Sequence, residues 1–168
     1  MRSVLQRIKS AVLTIPTARD WRDCLILLAL YGVIYLPIGF SLGLLRFAPQ
    51  TSWLTIIGVG LSAFVMPGLT EELVFRVLLI PHPKESCPTR TRQLWIGLSW
   101  VLFLLYHLHP FVPAFFRTPA FLTGAGLLGL LCTISYLRSG SFWTPVFLHW
   151  AIVITWLLVF GGLEQFRG

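Results

Sequence analysis

Long apolar runs dominate this 168-residue chain and leave it few folds to choose from. Cys24 to Leu45, Ser52 to Ile80, Leu94 to His109, Pro119 to Leu137 and Phe142 to Gly162 hold almost no ionisable side chains. About 20 apolar residues cross a hydrocarbon layer of roughly 30 Å. A lipid-exposed backbone must also satisfy its own hydrogen bonds, which selects helix over open strand. The runs therefore predict an all-α, multi-pass transmembrane bundle of about five spans. Composition agrees: 11% of the residues are charged, against about 25% in a soluble domain. Five passes use up nearly all of the chain, so any chemistry belongs to the helices and their short loops. The second run contains Pro67-Gly68 and is predicted to tilt, or to break there into two helices.

Ahead of the first run, Val4, Leu5, Ile8, Val12 and Leu13 recur at near-helical spacing among Arg2, Arg7 and Lys9. That pattern predicts an amphipathic helix on an anionic membrane surface. The chain thus divides into an interfacial segment 1–23, a transmembrane domain 24–163 and a tail 164–168. The run after residue 23 is too long for the core of a signal peptide, and no small-residue cleavage site follows it. Basic residues alternate by side: nine (Arg2, Arg7, Lys9, Arg19, Arg22, Lys84, Arg90, Arg92, Arg138) fall on one, and three (Arg46, Arg117, Arg167) on the other. The positive-inside bias predicts a cytoplasmic N-terminus in a plasma, inner or equivalent energy-transducing membrane. The net charge of +7 is spent on these topology signals, not on a basic stripe with interleaved aromatics, so nucleic acid is not an expected partner. Cys24, Cys87 and Cys132 form no CxxC pair and suggest neither a zinc site nor a redox motif.

Ionisable residues inside spans are functional candidates by default, because each costs about 2.5–3.5 kcal/mol at a helix centre. They are Glu71, Glu72, Arg76, His107 and His149, with His109 at a helix end before Pro110 and His82 in a loop between prolines. Glu72 and Arg76, four apart, share a helix face and can pair, which alone would make them a structural ion cluster. Glu71 is turned about 100° from Glu72, and its carboxylate is the better placed to face a cavity. One carboxylate and two histidines from three helices can converge on a buried water, with Glu71 as general base. Straight, untilted helices would put Glu71 roughly 14 Å deep, His149 roughly 10 Å and His107 roughly 20 Å, leaving His107 off level unless its helix starts later, tilts or re-enters.

These residues resemble the CPBP family, the CaaX proteases and bacteriocin-processing (Abi-like) enzymes. Its EExxxR motif is matched by Glu71, Glu72 and Arg76, its FxxxH motif by Phe103 and His107, and its HxxxN motif at His149 only. The stretch Arg138 to Val146 also resembles the family's approach to that histidine, and the likeness spans about residues 55–160. The resemblance implies a glutamic-type intramembrane endopeptidase without metal or other cofactor, acting on a peptide or membrane-protein segment near the cytoplasmic face. In it Glu71, aided by His107, activates water, His149 holds the oxyanion, and Glu72 and Arg76 support the site. Two glutamates and two histidines invite a zinc reading, but the spacing is not HExxH. Val153 stands where the family has Asn, and the chain has no asparagine to replace it. Losing one oxyanion donor slows such enzymes about 10²–10³-fold. The alternative expectation is therefore a weak or inactive member that binds or stabilises a membrane-protein partner. A haem or ion carrier using His107 and His149 would leave the paired glutamates unexplained.

Overall fold

Each apolar run becomes a helix in the computed structural model, which describes residues 4–166. Arg2 and Arg167, both used in the orientation count, and the last two residues of the 164–168 tail lie outside the described residues. The order is α1 (Val4–Leu13), α2 (Ala18–Ser41), α3 (Trp53–Leu78), α4 (Thr89–Tyr106), a 3₁₀ turn (Ala114–Arg117), α5 (Pro119–Ser139), α6 (Trp143–Val159) and α7 (Gly162–Gln165). Three of these, α2, α3 and α5, are long and apolar enough to cross a membrane. The 17-residue α6 is apolar but shorter, and α4 opens on the polar sequence Thr89-Arg90-Thr91-Arg92-Gln93. Lipid is the solvent that suits the outer faces: Leu54 is 84% and Val33 74% exposed.

Local chemistry sets the helix limits. Thr17 and Asp20 form a reciprocal capping box that opens α2, and Ser52 and Thr118 cap α3 and α5. Gly140, with φ +65°, ends α5 in the left-handed region. Helix α4 stops at Tyr106, earlier than the apolar run suggests, because Pro110 disfavours helix at the residue before it.

Helix α3 breaks where the sequence says it can. It is regular over Trp53–Ala63, then widens to π-helical geometry over Phe64–Leu69, with Met66 in extended conformation just before Pro67. A single α-helical stretch, Thr70–Glu72, separates this from a second π segment, Leu73–Leu78. Proline cannot donate its missing N–H and restricts its predecessor. Such irregular backbone is tolerated at membrane depth where it is buried in protein or lines a cavity.

The core forms where α2, α4 and α6 meet α5, around Cys24, Leu27, Phe103, Leu128, Leu131, Cys132, Leu148 and Ile152. Close approach to α5 depends on small residues: a Cβ at Gly129 would lie 3.0 Å from the Phe103 ring. Between α2 and α3 the chain runs extended, and Arg46, Ala48 and Gln50 donate backbone N–H groups to Phe160, Val159 and Leu158 at 3.3, 2.9 and 2.7 Å. These bonds satisfy carbonyls that the end of α6 leaves open. Helix α1 does form over the amphipathic stretch, with Val4, Leu5 and Leu13 exposed, but its other side docks on the bundle and Ala11 is fully buried.

Candidate functional site

The short α-helical stretch between the two π segments of α3 carries both glutamates, so they leave the helix in different directions. Glu72 points inward and is fully buried. Its Oε2 lies 3.2 Å from Arg76 Nε, and its Oε1 accepts a hydrogen bond from His149 Nδ1 at 2.7 Å. Arg76 is fully buried too. It donates to Gly129 O at 3.2 Å and stacks its guanidinium 4.9 Å from the centre of the Phe103 ring. A guanidinium, a carboxylate and an imidazole are thus tied into one cluster, which offsets the cost of burying each. Glu71 is not part of that cluster. It faces a cavity of about 640 Å³, and its Oε2 is buried without a hydrogen-bond partner. His149 Nε2 is 3.9 Å from it.

Carbonyls and carboxylates only accept, so the hydrogen-bond pattern places a proton on Nδ1 of each histidine. Nδ1 of His149 bears the proton shared with Glu72. Nδ1 of His107 donates to Phe103 O at 2.8 Å. In each ring Nε2 is the remaining atom able to act on something in the cavity. His107 follows the last helical residue of α4, and its ring folds back 4.8 Å from that of Phe103. A straight-helix depth count sets it apart from Glu71, yet His107, Glu71 and His149 line one cavity. That count takes every helix as straight and untilted.

Phe103 joins these parts. Its carbonyl fixes His107, its face takes Arg76, and its ring also contacts Phe75 and, at 6.1 Å, His149. Val153, one turn beyond His149, lines the cavity as well. Of the side-chain donors near that position, Trp150 is committed to Gly60 O and Thr155 to Ala151 O. The Tyr106 side chain lines the same cavity. His109 lies outside the cavity wall and accepts from the Phe111 backbone, and buried His82 bonds Gly140 O far along the chain.

Three features had no sequence signal. Ser99 of α4 donates to Phe75 O, a carbonyl within the second π segment. Cys132 of α5 lies beneath the cluster: one ligand atom each from Glu72, Cys132 and His149 falls within 4.8 Å of the others. As a metal site this set is poor, because Arg76 already lies against Glu72 and its positive charge opposes a cation. The third is the lining of the cavity away from the polar end, by Tyr31 and Tyr35 of α2, Leu128 of α5 and Trp156 of α6.

A family model described as type II CAAX prenyl endopeptidase Rce1-like matches residues 51–155. No curated protein and no solved structure matches the chain.

Proposed function

Because the chain belongs to the type II CAAX prenyl endopeptidase Rce1-like family, we propose that it is an intramembrane endopeptidase that hydrolyses a peptide bond with water activated by Glu71, without a metal. One observation carries this reading: Glu71, His107 and His149, from three helices, face a single cavity, and the Glu71 carboxylate there has a buried oxygen without a hydrogen-bond partner.

In the proposed reaction a water enters beside Glu71. His107 Nε2 accepts one of its hydrogens and orients it, and Glu71 takes the other proton as the water oxygen bonds to the scissile carbonyl carbon. The carbonyl oxygen becomes an oxyanion. His149, protonated on both nitrogens, donates from Nε2 to that oxygen, while Glu72 on the opposite ring nitrogen balances the imidazolium charge. Collapse of the tetrahedral intermediate breaks the C–N bond, and the proton held by Glu71 passes to the leaving amine. Arg76 holds Glu72 in place. The substrate is a peptide or membrane-protein segment whose apolar part occupies the rest of the cavity. The N-terminus, by the distribution of basic residues, is assigned to the cytoplasm.

The test is cleavage of a library of membrane-proximal peptides by the chain in liposomes, with Glu71→Gln and Val153→Asn alongside. Glu71→Gln should lower the rate about 10²–10⁴-fold while thermal unfolding stays within a few degrees of the native chain. Val153→Asn should raise it, since the cavity wall beside His149 then gains a donor. Cleavage that survives Glu71→Gln removes Glu71 as the base. No cleavage by either the native or the Val153→Asn chain supports the second reading, a membrane scaffold that binds a protein partner, which is favoured by the valine itself.

A further inference from the structure

The catalytic reading uses Glu71, His107 and His149 but says nothing of what keeps three separate helices in register. At one end of the bundle a second, largely buried ion pair links the ends of two of them. Arg7 of α1 grips Glu85 through Nε and Nη2 at 3.0 and 3.2 Å, and their side chains are only 14% and 6% exposed. The third guanidinium nitrogen of Arg7 donates to Leu78 O at 2.8 Å, the last residue of α3, the helix that carries Glu71. The carbonyl of Glu85 accepts from Arg92 at 2.7 Å, in the first turn of α4, the helix that ends at His107. The far end of α1 reaches the turn that opens α6, the helix of His149. There Ala11 O accepts from Phe142 N at 3.0 Å, Val12 O from Trp143 Nε1 at 2.9 Å, and Thr14 O from Ser141 Oγ at 2.7 Å. Every helix that supplies a proposed catalytic side chain is therefore fastened to α1, directly or through Glu85.

We infer that α1 is a clasp that sets the relative placement of Glu71, His107 and His149, with Arg7 as its positioning residue. The inference rests on the hydrolytic reading for its kinetic consequence only; the geometry of the clasp does not depend on it. Leu78, which Arg7 holds, is seven residues or roughly 10 Å along α3 from Glu71, and Arg7 is not among the residues that line the cavity. It acts by fixing the ends of α3 and α4 against the start of α6, and so the fit of Glu72 to His149 Nδ1. A guanidinium suits this place because its planar fork can hold a carboxylate and a carbonyl at once. A misplacement of about 1 Å from a remote change is enough to cost about 10²-fold in rate.

The experiment compares the native chain with Arg7→Ala, Arg7→Lys, Glu85→Gln and Glu71→Gln in liposomes, reading kcat and KM on one cleaved peptide and the ring ¹⁵N signals of His149. His149→Gln assigns those signals among the four histidines of the chain. Arg7→Ala should lower kcat about 10–100-fold with KM within about threefold, and should shift the His149 ring signals. Arg7→Lys should recover part of both, since an ammonium keeps the charge without the fork. Glu85→Gln should move both readouts in the same direction as Arg7→Ala. Unchanged kcat and unchanged His149 signals in folded Arg7→Ala overturn the clasp, as does loss of folding in both Arg7→Ala and Glu85→Gln, which would make the pair a general stabiliser. Full cleavage by Glu71→Gln removes Glu71 as the base, and no cleavage by the native chain removes the hydrolytic reading; in either case the His149 signals still decide the clasp.

Discussion

Helices α3 and α5 cross the same bundle and differ in almost every respect. Helix α5 is regular from Pro119 to Ser139, capped by Thr118 at one end and Gly140 at the other, and contributes much of the buried core. Helix α3 has two π segments and an extended residue, and little of its length is buried inside the protein. Yet α3 holds both glutamates and Arg76, while α5 offers the cluster only a carbonyl, at Gly129, and the thiol of Cys132. The contrast teaches a division of labour. A straight post with small side chains lets its neighbours come close, and the broken helix pressed on it can then aim adjacent glutamates two ways, one into an ion cluster and one into a cavity. The 100° between the glutamates is that of the short α-helical stretch between the breaks, and in the second π segment Phe75 O takes the hydroxyl of Ser99.

The sharpest way to break that contrast is to unload α3. Arg76→Met leaves Glu72 buried with only His149 to face, and should cost about 3–5 kcal/mol of stability, read as a fall in unfolding midpoint in mixed detergent and denaturant. Changing both members, as in Arg76→Met with Glu72→Leu, should recover much of the stability and none of the cleavage. Crowding the post comes next. Gly129→Ala sets a Cβ 3.0 Å from Phe103, whose ring holds Arg76 and whose carbonyl holds His107; it should destabilise by about 1–3 kcal/mol and slow cleavage as well. The same change at Gly126, where the nearest atoms stand at 3.5 Å or more, should be close to neutral in both assays. The smallest effect is expected at Ser99→Ala, which removes the hydroxyl from Phe75 O. It should cost about 1 kcal/mol and raise amide exchange in residues 73–78 while leaving α5 protected. Equal exchange in the two helices would mean that the irregular turns of α3 need no support from α4.

Much of this arrangement can be read from the sequence because the signals are local. Continuous apolar runs set the helices, Pro67 sets the break, and the four-residue spacing of Glu72 and Arg76 sets their pairing. The same spacing argument separates Glu71 from the pair. What is not legible depends on how helices rotate against each other. The bond from His149 to Glu72 joins residues 77 apart, and no periodicity encodes it. His107 looks displaced from Glu71 when helices are counted as straight rods, yet the two line one cavity. Arg7 reads as one more basic residue on a surface helix, but its partner Glu85 lies in a loop with no pattern of its own. The amphipathic stripe of α1 is legible as a stripe; that one side of it faces protein rather than lipid is not.

The extended stretch from Arg46 to Gln50, bonded to the last carbonyls of α6, bears on how this molecule relates to others of its kind. Residues 51–155 carry the family match, and His149 lies within them on a helix whose two ends are both held from outside that stretch, by α1 at its start and by 46–50 at its finish. The matched segment is thus gripped from both sides by residues outside the match. Grafting 51–155 onto foreign flanks would carry over every motif residue and drop these bonds to both ends of α6, so the motif and its alignment are separable in this molecule.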